Sequence, residues 1–180
     1  MVFPLSGEIL GKINEKLTPK EIKLIKSHFF PMETIEEYID NETPYSNLIS
    51  WLERLNEPEN FDLCKRVFSI IDDYIKLFEP LLLYIYYEDR LEIYWKNKEI
   101  ENAKIYAQKL IDISDSVINI PSVISHENKG YKRMIAILTK EKDFEGIIKI
   151  CEKAKLDNWK GDWEKQIETA KMKLEKGGKK

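Results

Sequence analysis

A chain of 180 residues, 43% apolar and 34% charged, is sized for one compact domain or a short repeat array and needs no covalent staples. Seven Gly and seven Pro supply too few tight turns for a many-stranded β fold, and two Cys, at positions 64 and 151, make neither a metal-ligand spacing nor a disulfide framework. The net charge of −3 is uneven: residues 129 to 180 carry 15 Lys plus Arg against 9 Asp plus Glu, and the first 128 carry 14 against 23. Such a split suits a charged partner or head-to-tail self-contact, and equally an uneven solvated surface.

At the start, Pro4, Ser6, Gly7 and Glu8 interrupt any signal-peptide pattern, and a helix over Glu8 to Leu17 is expected. Thr18-Pro19-Lys20-Glu21 is a capping box with Pro at the first helical position, leading into Ile22, Leu24, Ile25 and Phe29. Pro31 starts a further short helix through Ile35, Tyr38 and Ile39 that ends around NETP. Residues 1–44 thus form an N-terminal helical segment expected to pack on the helical array that begins at residue 45.

From residue 45 the pattern becomes one of helical pairs. Leu48, Trp51, Leu52 and Leu55 share one face; the polar NEPEN comes next; Phe61, Cys64, Phe68 and Ile71 then make a second face. Tyr84, Tyr87, Leu91 and Tyr94 form the next stripe, broken at Lys96 to Glu99 and resumed by Ile100, Ala103, Ala107 and Leu110. After SVINIPSVISHEN comes Tyr131, Met134, Ile135 and Leu138, a charged break at Lys140 to Asp143, then Phe144, Ile147, Ile148, Cys151 and Ala154. An apolar stripe that stops and restarts predicts two helices folded back on each other. Asp162 caps a last helix through Trp163, Ile167, Ala170 and Leu174, whose polar outer face suits the end of an array. The expected fold class is all-α, with antiparallel hairpins stacked as a short right-handed solenoid. It has an N-terminal helical pair, and residues 45–180 form one continuous unit with a C-terminal capping helix.

These hairpins resemble tetratricopeptide repeats over roughly residues 45–160. Tyr131, Met134, Ile135 and Leu138 fall in the first-helix places, and Phe144, Ile147, Cys151 and Ala154 in the second-helix places. Tyr87, Leu91, Tyr94, Ile100, Ala103 and Ala107 fit the middle pair, and Leu48, Trp51, Leu52, Leu55, Phe61, Cys64 and Phe68 the first. The departures are Ile135, Leu91 and Leu52 where the family has Gly or Ala, and unit spacings above the standard 34 residues. The resemblance implies a concave surface that binds peptides or proteins, and no catalysis.

On that reading the outward residues of the first helices line the groove. They are Ile49, Glu53 and Asn56; then Glu88, Asp89, Glu92 and Trp95; then Lys129, Lys132, Arg133, Ala136 and Lys140. The partner-binding candidates are Glu88, Glu92, Trp95, Lys129, Lys132, Arg133, Ala136 and Lys140, an acidic middle and a basic end around one Trp. Lys129 and Arg133 share a face and suit an anion, yet Glu53 and Asp89 stand where a carboxylate clamp needs Asn or Lys. The same faces read equally well as ordinary solvated surface.

Other classes find less support. His28 and His126 have no partner at metal spacing, Cys64 and Cys151 fall on packing faces, and no glycine-rich phosphate loop occurs. No catalytic residue, metal or cofactor is expected. Acidic residues interleave the basic ones, which disfavours nucleic acid. The longest apolar run, Leu81 to Tyr87, is too short for a bilayer, so no membrane association and a cytoplasmic setting are expected. In NWKGDW, Trp159 and Trp163 read as a turn clamping the last helix. The expected function is non-catalytic binding of a protein or peptide segment, as adaptor, inhibitor or regulator; the alternative is self-association as a homo-oligomer.

Overall fold

The computed structural model describes residues 6–28, 49, 52, 54–124 and 126–177, and among these every regular element is helical and none is a strand. The helices of eight residues or more are α1 (Ser6–Lys16), α2 (Pro19–His28), α3 (Phe61–Ile71), α4 (Pro80–Lys96), α5 (Ile100–Asp112), α6 (Lys129–Glu141), α7 (Phe144–Leu156) and α8 (Trp163–Gly177). Residues 1–97 and 98–180 form two compact units. Among the described residues no helix is long and apolar enough to cross a membrane. The helix expected from Pro31 to Ile39 lies outside the described residues, as do Leu48, Trp51 and Glu53.

In the first unit, the capping box forms as its residue types require. The Thr18 amide donates to the Glu21 carboxylate at 2.8 Å, and the Glu21 amide donates to Thr18 Oγ1 at 3.3 Å. The expected helix before it runs from Ser6 to Lys16 and packs on α3. Lys12 Nζ reaches Asp73 at 2.5 Å, Lys16 Nζ donates to the Ser69 carbonyl at 3.1 Å, and Arg66 pairs with Glu21. Pro58 opens a short 3-10 turn that leads into α3.

α3 is buried on two sides. Cys64, Phe68 and Ile71 occupy the expected stripe, while Leu63, Val67 and Ile70 are buried as well. α4 is apolar on most of its circumference, so it buries Tyr86 and Ile93 in addition to the expected Tyr84, Tyr87, Leu91 and Tyr94. Ile49, expected on an outward face, is instead buried in this core at 3% exposure.

In the second unit, α6 packs against both α5 and α7, and α7 against α8. The break in the last hairpin is tighter than the charged run suggests. Lys142 alone takes a left-handed conformation (φ 60°), and the Asp143 amide reaches back to the Leu138 carbonyl at 2.9 Å. Asp143 then caps α7, its Oδ1 accepting from the Gly146 amide at 2.8 Å. Asn158 (φ 59°) closes α7 in the same manner, with the Trp159 amide on the Ala154 carbonyl at 3.0 Å. Trp159 is buried, and its carbonyl accepts from Trp163 Nε1 at 2.6 Å, which is the expected clamp on α8.

The stretch before α6 contains two helical turns, Ser114–Val117 and Pro121–Ile124, and ends at Asn128, a fully buried cap for α6. Gly130 sits at a close approach of α6 to α5. A Cβ there would lie 2.8 Å from Leu110 Cβ and 3.0 Å from the Ala107 carbonyl. At the opposite end of α6, Glu141 holds Lys104 of α5 at 2.7 Å. These two contacts make α6 antiparallel to α5. The two-residue turn makes it antiparallel to α7 as well, so α5 and α7 run parallel on either side of it.

Candidate functional site

That arrangement leaves an open slot over one face of α6, between α5 and α7. Its volume is about 520 Å³. Met134 and Leu138 of α6 form the floor, Ile105 of α5 and Ile150 of α7 form the walls, and Gly146 leaves one end of the α7 wall low. Ile105 is 52% exposed, a large apolar side chain facing water inside a concavity. The rim carries Glu101, Lys104 and Gln108 on the α5 side and Asp143 and Lys149 on the α7 side.

The rim groups differ in how they are already engaged. Lys104 is bound to Glu141, Gln108 donates to Asp112 at 2.8 Å, and Asp143 is committed to its cap. Glu101 and Lys149 have no partner among the described residues. Both apolar wall residues are off-stripe: Ile105 falls outside the Ile100, Ala103, Ala107, Leu110 series, and Ile150 outside Phe144, Ile147, Ile148, Cys151, Ala154. A branched apolar residue on the polar side of an amphipathic helix was the available signal. It points to no neighbour, and so the slot itself is a product of packing.

The residues read from sequence as a binding surface divide between the two units. Glu88, Glu92 and Trp95 lie half-buried on α4 in the first. Lys129, Lys132, Arg133, Ala136 and Lys140 lie on α6 in the second, where Lys129, Lys132 and Lys140 are exposed and Arg133 and Ala136 half-buried. Lys132 pairs with Glu127 at 2.8 Å and lines a cleft of about 190 Å³ with Ile135, Asp162, Trp163 and Gln166. This cleft is smaller and more polar than the slot between α5 and α7.

Each unit also holds a polar cluster that ties its elements together. In the first, Arg90 Nη1 lies 2.6 and 2.8 Å from the Asp72 carboxylate oxygens, and Tyr86 Oη donates to the same carboxylate at 2.8 Å. The guanidinium stacks 4.5 Å from the centre of the Phe68 ring, so its charge is balanced from both sides. In the second unit, Asp157 accepts from Tyr131 Oη at 2.5 Å and from Lys153 Nζ at 2.8 Å, with Ser114 Oγ at 3.4 Å. Burial pushes the Asp157 carboxyl up, but these donors outweigh it and hold the group below its ordinary value.

The thiols are placed against nucleophilic chemistry. Both are fully buried, and burial pushes Cys64 up to about 12 and Cys151 up to about 11. Among the described residues no three His, Cys, Asp or Glu side chains are grouped to hold a metal ion. No protein-family model, curated protein or solved structure matches the chain.

Proposed function

We propose that the chain is a non-catalytic module that binds a segment of another protein, built on divergent tetratricopeptide-like hairpins. The slot between α5 and α7 is the binding surface. The single observation that supports this reading is a concave surface with an apolar floor and charged rim in which Ile105 stands half in water. Apolar clefts edged by polar groups are the form that protein-recognition sites take.

The test is selection from a displayed library of random peptides against the intact chain. Selected peptides are expected to lose at least about tenfold in affinity for Ile105→Glu, because a charge replaces an apolar contact worth more than about 1.4 kcal/mol. They are expected to bind Glu168→Lys, on the outer face of α8, as they bind the parent chain. Failure to enrich any peptide, or indifference of the enriched peptides to position 105, removes the proposal.

A further inference from the structure

Resting on the slot as a protein-binding surface, we infer that its occupant is an amphipathic helix of another protein, lying parallel to α7, with a basic residue on the flank facing α5 and an acidic residue on the flank facing α7.

The helical form follows from what the slot lacks. Beyond the first turns of α5 and α7, its floor and walls are helix surfaces whose backbone groups are satisfied within their own helices, so along its length it offers no strand edge. The polar side chains that would replace such an edge, Lys104, Gln108 and Asp143, are already engaged. An extended segment pressed onto Met134 and Leu138 would bury peptide groups without partners, each at a cost of about 1–3 kcal/mol. A helix brings its own hydrogen bonds and presents only side chains. The walls α5 and α7 are 13 residues each, about 20 Å of helix, which accommodates an occupant of three to four turns with apolar anchors one turn apart.

Charge sets the flanks and the direction. Glu101 on the α5 side and Lys149 on the α7 side face the slot unpaired among the described residues, so a cation on one flank and a carboxylate on the other complete both. Glu101 and Asp143 mark the end of the slot where α5 and α7 begin, and Glu141 closes the same end. The positive N-terminal end of an incoming helix belongs beside these carboxylates, which makes it parallel to α7.

The described helices of a second copy are poor occupants. Exposed large apolar residues on the described α-helices outside the slot are Ile85, Leu156, Met172 and Leu174, and none of these helices shows an exposed stripe one turn apart. Met172 and Leu174 lie two positions apart, on different sides of α8.

The experiment uses fluorescein-labelled 14-residue peptides and anisotropy with the full chain. One peptide carries Leu at helical spacing, Lys on the α5-facing flank and Glu on the other. A second exchanges the flanks, and a third keeps the first composition with a central Pro. Small sets shifted by one turn cover the register of each. The matched peptide is expected to bind about five- to tenfold tighter than the exchanged one, from two exposed ion pairs gained against two repulsions. The Glu101→Lys, Lys149→Glu double variant is expected to invert that preference, and the Pro peptide to bind at least about tenfold more weakly. Equal binding of matched and Pro peptides, abolished by Ile105→Glu, overturns the helix while leaving the slot as a binding site. Binding untouched by Ile105→Glu, or no binding by any peptide, overturns both. A concentration-dependent dimer in sedimentation that Ile105→Glu abolishes overturns the choice of another protein.

Discussion

Asp157 shows what a single side chain contributes where a chain must turn between helices. It gathers Tyr131, Lys153 and Ser114, so α6, α7 and the turn after α5 meet on one carboxylate. Its native pKa is depressed, so its stabilising effect is complete above the ordinary carboxylate range and disappears as pH falls through the lower native value. Asp157→Asn is expected to cost about 2 kcal/mol in urea unfolding at pH 7, since charge-assisted hydrogen bonds are lost. The difference from the parent chain is expected to close at strongly acid pH. Tyr131 was legible as a packing residue from its stripe. Its partner was not, because Asp157 lies in a turn 26 positions away and carries no periodicity.

At the scale of elements, the charged breaks did most to make the fold readable. The stripe in residues 131–154 stops where the helix stops, and the capping box at Thr18 starts its helix as its chemistry demands. Periodicity served less well for α4, since a helix apolar on most sides names no preferred face, and Tyr86 went unread. The Arg90 and Asp72 pair escaped for a related reason: both look like surface charges until the 3-10 turn after α3 brings them together. The break itself is imperfectly built. Lys142 holds a left-handed conformation that costs a residue with a Cβ about 1 kcal/mol. Lys142→Gly is expected to raise stability by about 0.5 kcal/mol after the entropy of the unfolded chain is counted, and Lys142→Val to lower it. Thermal unfolding followed by circular dichroism distinguishes the two signs.

For the whole molecule, two compact units each hold one cysteine: Cys64 within α3 and Cys151 within α7. Both were readable from their stripes as packing residues, whereas the slot between α5 and α7, which needs three helices in register, lay beyond the reach of periodicity. Gly130→Ala is expected to cost about 1–3 kcal/mol through the clash with Leu110 and the Ala107 carbonyl. Because the native thiols are shielded and resist ionisation, a disulfide reagent attacks each only in molecules whose surrounding unit has momentarily opened. Labelling of Cys151 in Gly130→Ala is expected to accelerate about tenfold per 1.4 kcal/mol lost, and an unchanged rate would place the strain elsewhere. The protein therefore carries a built-in gauge in each half, its own cysteine, whose labelling followed by mass spectrometry reports how often that half opens.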